Sequence, residues 1–146
     1  MVHLRLERLI AAPATLCFEL SLSVDAHTGS MAASGERAVA GVTHGSDQVT
    51  WRARHFGVPW RMTSVISEYD APRRFVDEQV RGPFAAWRHE HVFVEESPGS
   101  TLMTDLVDFE APAGPIGRLA TRAFLAAYLR RLLETRNGWL QRRLES

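Results

Sequence analysis

Lysine is absent from this chain: all seventeen basic residues are arginine, balanced by seventeen acidic residues. An even balance leaves no electrostatic footprint for DNA, RNA or anionic lipid, so no nucleic-acid partner is expected. The arginine bias is what a GC-rich coding sequence produces, and it gives no argument for phosphate contacts. Without lysine a P-loop in its usual form cannot exist, and GxGxxG, GxSxG and HExxH are missing as well. Most nucleotide-dependent and standard hydrolase chemistries drop out, and no cofactor or metal is expected. Cysteine occurs once, as Cys17, so no intramolecular disulfide can form and a reducing compartment is implied. No window reaches the roughly 18 consecutive apolar residues of a spanning helix, so no membrane insertion is expected. Residues 9–24 are fairly apolar, but Arg5, Glu7 and Arg8 precede them and Glu19 interrupts them. The alternation of Val2, Leu4 and Leu6 with His3, Arg5 and Glu7 reads as a half-buried strand rather than a signal peptide. A cytoplasmic protein is expected.

What is present suffices for one ordinary domain over residues 1–146, with 45% hydrophobic and 23% charged residues. No repeat, low-complexity tract or linker divides it. Residues 2–10 predict a first strand, and Pro13 stands where a helix over 13–22 can begin. A second short helical turn and a loop follow over 25–34. Strands are predicted at 36–41, 48–56, 60–68, 74–81, 84–94 and 101–110, separated by Gly/Pro-containing breaks. Connections so short force antiparallel pairing. Pro115 opens a long helix over 116–144 carrying two adjacent apolar stripes. One stripe holds Ile116, Leu119, Ala120, Ala123 and Ala127, and the other holds Leu125, Leu129, Leu132 and Leu140. Arg130, Arg131, Arg136, Arg142 and Arg143 read as a solvated face that complements the helix dipole. The fold class is therefore α+β: a curved antiparallel sheet of about seven strands round a long C-terminal helix, with two short helices after the first strand. Such an arrangement leaves room for a mostly apolar cavity.

That element order resembles the helix-grip fold of START-like proteins, the SRPBCC superfamily, over essentially the whole chain. The strings SGER at 34–37, VTWRARHFG at 49–57, FVDEQVRGPF at 75–84, HEH at 89–91 and TLMTD at 101–105 sharpen the resemblance. They look like a bacterial branch described as ligand-binding or cyclase/dehydrase-like. The resemblance implies carriage of hydrophobic ligands, with some relatives acting as aromatase/cyclases on poly-β-ketone chains. It assigns no catalytic residue.

The strongest local signal is the strand around Trp87, His89, His91 and Phe93, whose other face carries Arg88 and Glu90. With a period of two, the charged face meets water and the aromatic and imidazole face points inward. Buried imidazoles need partners, and register decides which carboxylates supply them. A plain two-residue turn at Gly82-Pro83 sets Glu78 opposite Trp87, whereas a shift of one residue brings Asp77 and Gln79 inward. On the other side, Asp105 or Asp108 can face the histidines; Asp105 is preferred because Met103, Val107 and Phe109 share its face.

Four roles fit this cluster. It can hold strands together, orient a ligand, or serve as a general acid–base with His89, His91 and Asp105 as the candidate catalytic residues. A metal role lacks an evident fourth ligand. Trp60, Phe75, Trp87, His89, His91, Phe93, Met103, Asp105, Phe124 and Tyr128 are the candidate ligand-binding wall. Trp51, His55 and the face bearing Met62, Ser64 and Ile66 read as core or pocket wall, His27 as surface, and Cys17 as a small core residue. The favoured reading is binding or transport of a small hydrophobic molecule such as a lipid or polyketide. The runner-up is a cyclase/dehydratase-like enzyme, and a third reading is a structural or partner-binding domain with a filled cavity. Self-association is left open.

Overall fold

The computed structural model describes the backbone of residues 1–23, 37–40, 48–55, 58–111 and 122–146, and the side chains of 1–23, 61–111 and 122–146. Its elements are β1 (Val2–Ile10), α1 (Ala14–Leu22), β2 (Arg37–Ala40), β3 (Gln48–His55), β4 (Val58–Asp70), β5 (Arg74–Arg81), β6 (Ala86–Ser97), β7 (Ser100–Glu110) and α2 (Arg122–Glu145). The strands pair antiparallel in the order β1-β7-β6-β5-β4-β3-β2. The predicted turn after α1, His27, residues 112–115 and residues 116–121 of the predicted long helix lie outside the described residues. So do the side chains of Trp51, His55 and Trp60.

Turn chemistry explains one register and a side-chain clasp the other. Between β6 and β7, Ser97 pairs with Ser100, so Pro98 and Gly99 fill the turn; Gly99 sits at φ 76°, a conformation that costs glycine nothing. Between β5 and β6 the Gln79 amide grips residue 84, donating to the Phe84 carbonyl at 2.8 Å and accepting its N–H at 3.2 Å. This clasp makes the connection longer than a two-residue turn, so Asp77 pairs with His89 and Glu78 with Arg88. The arrangement with Glu78 opposite Trp87 is thereby excluded.

Strand β4 starts at Val58 rather than residue 60 and absorbs Pro59. Its pairing with β5 slips between Ile66 and Glu68. This bulge sends Glu68 to the outer face while Ser64 and Ile66 before it stay buried. On the outer face Arg74 donates to Glu90 (2.9 Å) and Glu68 (3.0 Å), and Arg88 to Glu68 (3.0 Å). Val76, paired with Glu68 on one side and Glu90 on the other, is fully buried.

Helix α1 lacks a side-chain cap of its own, since Pro13 occupies the N-cap position. The Glu95 carboxylate from β6 substitutes, accepting the Ala14 N–H at 2.7 Å. The helix buries Ala14, Cys17, Phe18, Ser21 and Leu22, an i, i+3, i+4 pattern that leaves Leu16 half exposed.

Helix α2 lies against β1 and α1. Its buried positions are Leu125, Leu129, Leu133, Arg136, Asn137 and Leu140. Of the two predicted stripes the leucine stripe faces inward; Ala123 and Ala127, from the other, are exposed. Arg136 is not part of a solvated face, because it falls on the same helical spacing as the leucines and is only 3% exposed. Arg130 donates to the Arg5 carbonyl (3.2 Å) and Gln141 to the Leu9 carbonyl (3.3 Å), which covers the outer edge of β1.

Candidate functional site

The inner face of the sheet carries two apolar clusters with a polar belt between them. The first gathers Ile10, Cys17, Phe18, Leu22, Ile66, Phe75, Phe93, Met103 and Leu140. The second gathers Leu4, Leu6, Phe84, Val107, Phe109, Leu125, Leu129 and Leu133. Each central element crosses the belt with its own polar residues: β5 with Asp77, β6 with His89 and His91, β7 with Asp105, and α2 with Arg136 and Asn137. The alternation of a strand and the 3.6-residue turn of a helix place them there.

Within the belt, His91 pairs with Asp105 across β6 and β7, and Asp77 with His89 across β5 and β6. His89 Nε2 lies 2.8 Å from Asp105 Oδ1, and His91 Nε2 lies 2.8 Å from Asp77 Oδ2. The two imidazoles stack with centroids 3.7 Å apart, and Phe75 stacks on His91 at 4.1 Å. Trp87 stands edge-on to His89 and directs its indole N–H at Asp77 Oδ1, 3.4 Å away. Asn137 donates to Asp105 Oδ2 at 2.7 Å, and the Arg136 guanidinium comes within 3.8 Å of Asp105 Oδ1 while also donating to the Asn137 amide oxygen and the Ser21 carbonyl. Asp105, the best buried member, thus has polar neighbours on two elements, β6 and α2. Asp108, on the other face of β7, pairs with His3 at the surface instead.

Burial pushes the His89 imidazole below its ordinary 6.5, and the neighbouring His91 adds to this; the pull of Asp105 and Asp77 does not overcome them. For Asp105 burial acts upward, but the His89 and His91 contacts outweigh it and hold the carboxyl well below the usual range. The belt therefore combines an ionised Asp105 with a neutral His89. Because unfolded His89 takes up a proton near its ordinary value and folded His89 resists it, stability is full above pH 6.5 and falls as pH drops below that value. Denaturant midpoints measured from pH 8 to pH 5 are expected to decline below 6.5, by at most about 1.4 kcal/mol per pH unit for this one proton. His89→Gln should flatten that part of the profile.

Of the predicted wall, Phe75, His89, His91, Phe93, Met103 and Asp105 are buried together and Trp87 is half-buried beside them. Phe124 does not join them: it is 53% exposed. It precedes Leu125 by one residue, a rotation of about 100° from the inward stripe. Tyr128 stands in the same relation to Leu129 and is half-buried. Cys17 is fully buried beside Phe18, and burial pushes its thiol up, as a core residue requires. Arg136 and Asn137 are site residues that the sequence reading misses. Their signal is positional, two polar residues on the helical spacing that runs from Leu129 and Leu133 to Leu140.

A family model described as polyketide cyclase / dehydrase and lipid transport matches residues 1–145. The chain belongs to that family. Among solved structures, this polyketide cyclase and lipid-transport family member is similar to a Thermus thermophilus protein, at 20% identity over 98% of this chain and 97% of that one, with a TM-score of 0.81. It is also similar to a START superfamily protein from Mycobacterium smegmatis, at 15% identity over 98% and 97% and a TM-score of 0.77. A third similar structure is the Zhui aromatase/cyclase from Streptomyces sp. R1128, at 18% identity over 99% and 93% and a TM-score of 0.82. At such identities these likenesses establish the START-like, SRPBCC fold of the family member alone. No curated protein matches it significantly. No described helix of this family member is long and apolar enough to cross a membrane.

Proposed function

We propose that the protein binds or carries a small hydrophobic molecule, a lipid, polyketide or similar metabolite, in an internal cavity beneath α2. In this reading a seven-stranded helix grip with two short helices after β1 encloses the ligand, in the reducing cytoplasm that a lone buried cysteine suits. The observation that carries the proposal is the belt itself. A few fixed polar groups set into the middle of an apolar inner face match the composition of small-molecule sites, and the family description points the same way. The polar end of the ligand would meet His91, and its apolar body would lie against Phe75, Phe93 and Met103.

The decisive measurement is native mass spectrometry of protein purified from its own host. A co-purifying small molecule of apolar character is expected; a ligand-free spectrum across several growth conditions would favour a domain whose interior is filled by side chains. His91→Gln separates ligand contact from scaffolding. It should weaken binding of a fluorescent fatty acid such as cis-parinaric acid about tenfold or more, whereas lost stability with unchanged binding would mark the histidines as structural.

One observation favours a second reading. Each histidine has a carboxylate at 2.8 Å, the arrangement a general acid–base uses. A cyclase/dehydratase-like enzyme would turn over a poly-β-ketone thioester and lose that turnover in His89→Gln, while a carrier would bind it unchanged.

A further inference from the structure

His91 Nδ1 is buried and is the one buried side-chain nitrogen or oxygen without a hydrogen-bond partner among the described residues. Tautomers explain why. Asp77 Oδ2 can only accept, so at 2.8 Å a neutral His91 ring keeps its single proton on Nε2, and in that form Nδ1 is a lone pair facing Asp105 Oδ1 at 3.4 Å. His89 puts its proton on Nε2 toward Asp105, leaving its own Nδ1 lone pair 3.9 Å from Asp77 Oδ2. Both free nitrogens thus confront carboxylate oxygens, acceptor against acceptor. A buried site should avoid that opposition.

We propose that Asp77, His89 and His91 form a site for one first-row divalent metal ion, with Asp105 as the outer carboxylate that orients both histidines. A cation on Asp77 Oδ2, His89 Nδ1 and His91 Nε2 removes both conflicts in one step. It replaces the proton on His91 Nε2, which moves the tautomer to Nδ1–H and gives that nitrogen Asp105 as acceptor. It also turns the His89 Nδ1 lone pair from a repelled neighbour of Asp77 into a ligand.

The three side chains each offer a ligand atom within 4.8 Å of the other two. Asp77 Oδ2 lies 2.8 Å from His91 Nε2 and 3.9 Å from His89 Nδ1, distances that bracket the edge of about 3.3 Å that metal–ligand bonds near 2.0–2.1 Å require. The two rings lie 25° from parallel. Convergence on one ion would splay them further, with Phe75 sliding on His91.

The outer shell is already built. Asp105 reaches both far nitrogens and is itself held by Asn137 and Arg136. Two histidines and one carboxylate on one side of the ion leave positions for water or a ligand oxygen, so a fourth protein ligand is unnecessary. Entry runs past Asp77, whose side chain is 20% exposed against 6% and 3% for the histidines.

The test uses the full chain stripped with EDTA and titrated with Zn²⁺ by calorimetry and with Co²⁺ by visible absorption. One ion per chain is expected, with a nitrogen-ligated Co²⁺ spectrum and quenching of Trp87 fluorescence. Asp77→Asn keeps the side-chain volume at a partly exposed position and should weaken Zn²⁺ at least about tenfold. Asp105→Asn, acting from the outer shell, should weaken it about 10–100-fold. His3→Gln, in the surface pair with Asp108, should change nothing. Absence of saturable binding, or binding that Asp77→Asn leaves intact and His3→Gln abolishes, overturns the proposal.

Discussion

Asp105→Ala is expected to cost about 3–5 kcal/mol of folding stability, the loss typical of breaking a buried ion pair from one side. Asp105 is fully buried and Arg136 is 3% exposed. Removing the carboxylate leaves a guanidinium in the core without its nearest opposite charge, and it strips the His89 Nε2–H and the Asn137 amide of their acceptor. Few single domains have more than 5–15 kcal/mol to lose, so the variant should unfold at markedly lower denaturant. Asp105→Asn keeps an acceptor but not the charge and should fall between wild type and alanine. The double variant Asp105→Asn with Arg136→Met should recover part of the loss, because an apolar pair need not be ion-paired. A cost below about 1.5 kcal/mol for Asp105→Ala, or no recovery in the double variant, would show that charge compensation is not what anchors the belt.

Phe18→Ala should be about as costly, at about 3–5 kcal/mol, for a different reason. Phe18 is 2% exposed and meets Tyr69, Phe75 and Phe93 edge to face, with centroids 5.5, 5.4 and 5.6 Å away. It is the side chain by which α1 is seated on the sheet, and such rings contribute beyond their buried area. Chemical denaturation should show the loss, and amide exchange should show it concentrated in α1. Leu16→Ala, on the same helix but 49% exposed, should stay within about 0.5 kcal/mol of wild type. Equal effects of the two substitutions would refute this account of how α1 is held.

The two variants also mark which parts of the molecule could be read from its residues. Strand β1 was legible because alternation is a local property, and the shared face of Met103, Asp105, Val107 and Phe109 favoured Asp105 over Asp108 although the register across Pro98-Gly99 stayed open. Register across Gly82-Pro83 was not, because a side chain three residues upstream, Gln79, sets it by gripping Phe84. Both Asp77 and Glu78 were in reach, and only that clasp selects Asp77. Arg136 was misread because an arginine on a helix ordinarily faces water, and its counter-charge lies on a strand far away in sequence. Phe124 is assigned to the wall from its aromatic character, although it belongs to neither apolar stripe, and docking of α2 by its leucine stripe leaves it exposed.

That docking bears on how the chain comes to be folded at all. The hairpins β3–β4, β4–β5, β5–β6 and β6–β7 each close over a short stretch and can form as their residues meet. Among the described residues strand β1 has no such neighbour: its ladder is with β7, whose residues run from Ser100 to Glu110, and its far edge is covered by α2. The entropy of closing so long a loop is met by no local contact. During synthesis the first nine residues to adopt structure in the finished sheet must therefore wait, unpaired, for nearly the last. Arg5, Glu7 and Arg8 then act as a guard against premature pairing with other chains, before the Arg8 side chain anchors the strand to Glu134 and Gln141 of α2.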